Sequence, residues 1–230
     1  MNDFTSANKV HFDSHAQAYD GRSSGMKLAR VFGSHILASY TFDEGSTTIL
    51  DFACGTGHVS RELAADAKRI TGVDISQGMV DQFNLRVANQ GIDAEEMQAI
   101  CVDLLASNNS SNDLFVFQDG LFDVIVCCLG YHHFPDVDAV TRMLVGYLKP
   151  GGKLFVGDFQ ALEIQQSVPP SPRFNLDFVP HLDGFTQGDI QGVLERAGLE
   201  EIQFEVLFEN VSLHGRKAQV FLASAEKAGS

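Results

Sequence analysis

From Thr47 onward the chain alternates short apolar, β-branched runs with segments of helical periodicity, and glycines and carboxylates gather at the ends of the runs. The runs are Thr47 to Phe52, Arg69 to Asp74, Ala99 to Asp103, Leu121 to Cys128 and Lys153 to Asp158. Runs this short and continuously apolar read as strands buried on both faces, which is the signature of a parallel sheet. Between them, His58 to Asp66 reads as a helix. A second helix has Ser76 as its N-cap and Met79, Val80, Phe83 and Val87 along its apolar stripe. A third, Val137 to Leu148, is stopped by Lys149-Pro150-Gly151-Gly152.

The ends of the chain complete the plan. Phe12 to Tyr40 carries apolar residues at helical intervals, so residues 1–45 are expected to form an N-terminal helical cap. Glu200 to Phe208 and Lys217 to Ser224 read as two strands around a turn at Leu213-His214-Gly215, and a connection that short pairs them antiparallel. The expected fold is α/β, a Rossmann-like doubly wound sheet of five parallel strands closed by a C-terminal antiparallel hairpin, seven strands in all, with helices on both faces. At 230 residues this is one domain, 1–230. Ser107 to Gly120 is a polar loop. Phe159 to Phe185 holds four of the six prolines, and a connection of that length suggests a lid or binding insertion.

With 16 Lys+Arg against 30 Asp+Glu, the formal charge is −14, a balance that repels phosphate backbones and anionic membrane surfaces. No apolar run approaches the ~20 residues of a membrane-spanning helix. The residues from Met1 to Ser6 lack the basic and apolar regions of a signal peptide. Cys54, Cys101, Cys127 and Cys128 show no paired spacing, and the adjacent Cys127 and Cys128 read as core thiols. A reduced, cytoplasmic setting is expected.

In doubly wound sheets, ligands bind at the carboxyl ends of the strands where strand order reverses. There Gly55 and Gly57 permit close backbone approach. Asp74, 17 residues after Gly57, suits the two hydroxyls of a ribose, and Asp103 suits an exocyclic amine of a base. Each is weak evidence alone, since a glycine pair also makes tight turns and a strand-end Asp also caps helices. Three at successive strand ends are harder to dismiss.

Five segments, in order, carry a resemblance. They are Ile49-Leu50-Asp51-Phe52-Ala53-Cys54-Gly55-Thr56-Gly57, Gly72-Val73-Asp74-Ile75-Ser76, Val102-Asp103-Leu104, Phe122-Asp123-Val124-Ile125-Val126 and Leu148-Lys149-Pro150-Gly151-Gly152-Lys153-Leu154. Together the chain resembles the class I S-adenosylmethionine-dependent methyltransferases. His132-His133-Phe134-Pro135-Asp136 and Gly184-Phe185-Thr186 are similar to the small-molecule branch, which includes quinone-biosynthesis methyltransferases. The resemblance implies S-adenosylmethionine as cofactor. Asp51, Ala53, Cys54, Gly55 and Gly57 would hold its methionine part, with Asp51 near the ammonium and Ala53 standing where the family usually has its first glycine. Asp74 would bind the ribose, Ile75 and Met79 would lie against the adenine, and Asp103 and Leu104 would meet its edge. Cys128 and Leu129 would pass beside the sulfonium, and Tyr19 would cover the cofactor.

A nicotinamide dinucleotide is the main rival, since Gly55-Thr56-Gly57-His58-Val59-Ser60 is one residue from the dinucleotide fingerprint. The terminal hairpin, the Pro-Gly-Gly before strand five and Asp103 favour the methyltransferase. Methyl transfer needs alignment and, for a protonated acceptor, a base. Candidates are His132 and His133 after strand four and His181 in the insertion, with Asp158 placed to orient an acceptor or a histidine. His11, His15, His35, His58 and His214 read as surface or structural. No metal site is expected: no carboxylate stands at ligand spacing beside His132 and His133. Phe134, Phe159, Phe174, Phe178 and Phe185 suggest an apolar or aromatic small-molecule acceptor, and the charge of −14 weighs against nucleic acid. A protein side chain as acceptor and a non-catalytic cofactor-binding subunit remain alternatives. The sequence leaves monomer and homodimer open.

Overall fold

The computed structural model describes residues 4–21, 23–106, 117, 120–161, 176, 178–213 and 216–229. Two helices, α1 (Phe4–Asp20) and α2 (Ser23–Ser39), precede β1 (Thr48–Phe52). Then come α3 (His58–Leu63), β2 (Arg69–Asp74), α4 (Gln77–Asn89), β3 (Met97–Cys101) and β4 (Phe122–Cys128). Helix α5 (Val137–Tyr147) leads into β5 (Leu148–Gln160), and α6 (Gln187–Arg196) into the hairpin β6 (Leu199–Leu213) and β7 (Arg216–Lys227).

The sheet has seven strands in the order β3-β2-β1-β4-β5-β7-β6. Strands β1 to β5 run parallel, and β7 lies antiparallel between β5 and β6. Strand order reverses between β1 and β4, so the ligand crevice of such a sheet opens above their carboxyl ends. The central strands are buried on both faces, as their apolar residues require, while much of β6 at the edge is exposed. Ile49, Val124 and Val126 pack with Phe32, Ile36, Leu63 and Phe83 of α2, α3 and α4. Leu50 and Ile125, one residue out of phase, pack with Val140, Leu144, Ile190 and Leu194 of α5 and α6.

Ser76 caps α4 as expected, its side chain accepting from the Met79 N–H, and Met79, Val80, Phe83 and Val87 are buried. Several boundaries differ from the sequence reading. Strand β3 ends at Cys101, opposite Asp74, because Val102 and Asp103 leave the sheet. Strand β5 starts at Leu148: Phe122 pairs with Leu148 and Val124 with Lys153, so Lys149-Pro150-Gly151-Gly152 is absorbed as an irregularity within the strand. The hairpin strands are longer than their apolar cores suggest. The turn residues His214 and Gly215, most of the loop 107–120, and 162–175 with 177 of the suspected lid lie outside the described residues. No helix among the described residues is long and apolar enough to cross a membrane.

Candidate active site

Strand β1 runs into a turn in which Ala53, Gly55 and Gly57 take positive φ of 57°, 53° and 79°. Glycine accepts that conformation freely, whereas Ala53 holds it at a cost of about 1–2 kcal/mol. Two glycines keep this turn against its support. A Cβ on Gly57 would stand 2.5 Å from Phe83 Cδ2, and one on Gly72 would stand 2.8 Å from Cys54 Sγ. Asp74 ties the turn to the next element: its Oδ2 accepts the Gly55 N–H and its Oδ1 the Ser76 N–H, both at 2.9 Å. Burial pushes the Asp74 carboxyl above its ordinary range.

Above these strand ends lies a cavity whose floor is Ala53, Cys54, Gly55 and Asp74. One end is apolar apart from Asp103, with Ile75, Met79, Val102, Leu104 and Leu105. The opposite wall is Cys128, Leu129, Gly130, His133 and Phe134, and α1 and α2 roof it with Thr5, Asn8, Phe12, Tyr19, Gly25 and Ala29. The roof is anchored. Asp13 of α1 accepts from Ser76 Oγ at 2.6 Å and the Gly78 N–H at 3.1 Å, while Lys9 Nζ donates to the Ile75 carbonyl at 3.0 Å. The Ser76 hydroxyl, foremost, holds the Asp13 carboxyl below its usual range.

Twelve of the residues singled out from sequence line this cavity: Tyr19, Ala53, Cys54, Gly55, Asp74, Ile75, Met79, Asp103, Leu104, Cys128, Leu129 and His133. Five others do not. Gly57 packs behind the turn. Asp51 is buried beneath it, accepting from Ser60 Oγ at 2.6 Å, and desolvation pushes its carboxyl up to about 7. His132 and Asp158 form a buried pair behind His133. His132 Nδ1 is 2.8 Å from Asp158 Oδ1, and the His132 backbone N–H donates to Asp158 Oδ2 at 3.0 Å. The two histidine rings are tilted with centroids 4.1 Å apart. His181 Nε2 is 3.0 Å from the Phe134 carbonyl oxygen, and its N–H donates to the His132 carbonyl, so it braces the strand-four loop. Phe178 stacks on His133 and on His11, while Phe159 and Phe185 belong to the core. Phe174 lies outside the described residues.

Sequence reasoning missed several contributors. His58, read as surface or structural, is buried and lines the cavity; Arg86 donates to its Nδ1 at 2.9 Å. That donation fixes the proton on Nε2, which has no hydrogen-bond partner among the described residues. Thr56 Oγ1 is buried with no hydrogen-bond partner among the described residues. Phe32, assigned to the core, also reaches the cavity, as do Asn8, Phe12 and Phe52. Their only sequence signal was position on an apolar helix face or next to a glycine turn.

The arrangement suits an adenosyl amino-acid cofactor. An apolar slot ends at a carboxylate for a base edge, a central carboxylate suits a ribose, and the Thr56 hydroxyl, with no hydrogen-bond partner among the described residues, suits a charged amino-acid tail. The four cysteines are free, and burial raises the Cys127 and Cys128 thiols well above their ordinary range; Cys127 is a core thiol as expected, whereas Cys128 is half-buried in the cavity wall. Among the described residues no group of three or more His, Cys, Asp or Glu is placed to hold a metal ion.

Residues 50–156 match the family described as Methyltransferase domain. The chain is 35% identical over 158 residues, 68% of its length, to an uncharacterized methyltransferase of Schizosaccharomyces pombe, covering 54% of that relative. It is 31% identical over 108 residues, 47% of its length, to a ubiquinone biosynthesis O-methyltransferase of Xanthomonas euvesicatoria, covering 41% of that relative. The chain thus spans about half the length of these curated relatives. In fold it is similar to the magnesium protoporphyrin IX methyltransferase of Synechocystis with bound SAM, at a TM-score of 0.65 and 14% identity, covering 98% of each chain.

Proposed function

We propose, from the premise that this chain belongs to the class I S-adenosylmethionine-dependent methyltransferases, that it transfers a methyl group from S-adenosylmethionine to a small apolar or aromatic molecule. The observation that carries the reading is one cavity lined both by the strand-end motif residues and by an aromatic wall of Phe12, Phe134 and His133. When bound, the cofactor supplies a methyl carbon activated by a positively charged sulfur.

The chain's residues supply position and proton handling. Asp74 would hold the ribose, and Ile75, Met79 and Leu104 would enclose the adenine, with Asp103 at its edge. Thr56 Oγ1, with no hydrogen-bond partner among the described residues, is the polar atom offered at the amino-acid end. Cys128 and Leu129, in the opposite wall, would stand beside the sulfur. His133, facing the cavity, is the candidate general base for a hydroxyl or thiol acceptor. His132 and Asp158 are positioning residues: the carboxylate accepts from Nδ1–H and the backbone amide, which holds the adjacent His133 in place. The roof of α1 and α2 excludes water from the reacting atoms.

The test is turnover. The purified chain with S-adenosylmethionine and a panel of phenols, thiols and amines is assayed for S-adenosylhomocysteine release and for a product heavier by one methylene. The reading expects product from at least one class, with kcat reduced about 10²-fold or more in His133→Ala. Methylation of protein in an extract, with no small-molecule product, would replace this acceptor class by a side chain.

A further inference from the structure

Asn8, near the start of α1, lines the acceptor end of the cavity beside Thr5, Phe12, His133 and Phe134, yet it is 4% exposed. A buried amide in an aromatic wall needs its hydrogen bonds satisfied. Its nitrogen has them: Nδ2 donates to the Phe4 carbonyl at 2.9 Å and to the His133 carbonyl at 3.4 Å. These two contacts set the amide's orientation, because the flipped rotamer would press Oδ1 against two carbonyl oxygens. Oδ1 is left buried with no hydrogen-bond partner among the described residues. The bond to the His133 carbonyl also ties Asn8 to the loop that carries the candidate base.

Resting on the methyltransferase reading above, we propose that Asn8 Oδ1 selects the methyl acceptor by receiving a hydrogen bond from a hydroxyl on an aromatic ring. An amide oxygen only accepts, and it takes no proton at neutral pH, so Asn8 recognises and does not act as the base. The ring lies between Phe12 and Phe134, and the hydroxyl it offers to Asn8 keeps its proton. A ring without such a donor leaves Oδ1 desolvated and unpaired. A site built around a hydrogen bond rejects an analogue lacking the donor far more strongly than an apolar pocket rejects a missing methylene.

Binding of catechol and of 1,2-dimethoxybenzene, which share a ring and differ in their donors, is measured by calorimetry on the protein saturated with S-adenosylhomocysteine. Catechol is expected to bind at least about tenfold tighter. In Asn8→Leu the two probes should come within about twofold, with the affinity for S-adenosylhomocysteine retained as the check that α1 still docks. Phe12→Leu is the second variant: it should weaken both probes and keep the preference for catechol. Equal binding in the unmodified protein, binding of neither probe, a preference surviving in Asn8→Leu, or its loss in Phe12→Leu would each overturn the assignment. Failure of the unmodified protein to bind S-adenosylhomocysteine would instead overturn the methyltransferase reading.

Discussion

Asp74 accepts from the Gly55 and Ser76 amides at 2.9 Å, so it shapes the turn after β1 and the start of α4 before any ligand arrives. Replacing it by asparagine keeps the volume and removes the charge. Hydrogen bonds to charged groups contribute about 1.5–3 kcal/mol, so Asp74→Asn should weaken S-adenosylhomocysteine binding by roughly tenfold or more in a calorimetric titration. Asp51 makes a different prediction. Its folded carboxyl sits near 7, above its ordinary value of 3.8, so in that interval the folded chain holds a proton that the unfolded chain has released. Asp51 therefore costs stability progressively as pH rises through that window, and the cost is absent below it. Urea midpoints at pH 5, 6 and 7.5 should show this fall in the parent chain and a shallower one in Asp51→Asn. Asp74 and Asp103 were legible as cavity residues because a carboxylate at the end of an apolar run is a local pattern, and Ile75 and Met79 only through the family resemblance. Asn8, Thr56 and His58 were not. Asn8 matters through a carbonyl 125 residues away, and His58 through Arg86, 28 residues on.

Helix α1 is tied down near its start by Asn8 on the His133 carbonyl, at its end by the Asp20–Arg86 ion pair, and in its middle by Asp13 on Ser76 and Gly78 and Lys9 on the Ile75 carbonyl. Asp13→Ala should release it: amide hydrogen exchange across residues 4–20 rises, the affinity for S-adenosylhomocysteine falls severalfold, and global stability drops by only about 1 kcal/mol. Undisturbed exchange in that variant would show that the Asp13 contacts do not hold the roof. Where β5 passes under α2, Gly157 makes room for Phe32; a Cβ there would lie 2.4 Å from Phe32 Cε1. Gly157→Ala should destabilise by about 1–3 kcal/mol, read as a lower melting temperature. Strand and helix identities were legible because apolar period and capping are local. The start of β5 was not: the Pro-Gly-Gly run ends a helix convincingly, but only pairing of Leu148 with Phe122 draws the preceding residues into the sheet. The end of β3 was hidden for the same reason, since Val102 is apolar and only the length of β2 decides where pairing stops.

For the whole molecule, the strand order with its reversal between β1 and β4 gathers into one cavity residues that run from Thr5 to Phe134 in sequence. The C-terminal hairpin, with β7 between β5 and β6, sets this sheet apart from a dinucleotide-binding one of all-parallel strands. That plan was legible because five ordered motifs and a short terminal turn leave few topologies open. The central claim is that the cavity is an S-adenosylmethionine site. It is tested most directly by calorimetric titration of the dialysed chain with S-adenosylhomocysteine and, separately, with NAD, in the parent and in Asp74→Asn. Micromolar binding of S-adenosylhomocysteine is expected, weakened in the variant, with about 2.7 kcal/mol of added stability at a hundredfold excess over Kd. Binding of NAD with none of S-adenosylhomocysteine would contradict it.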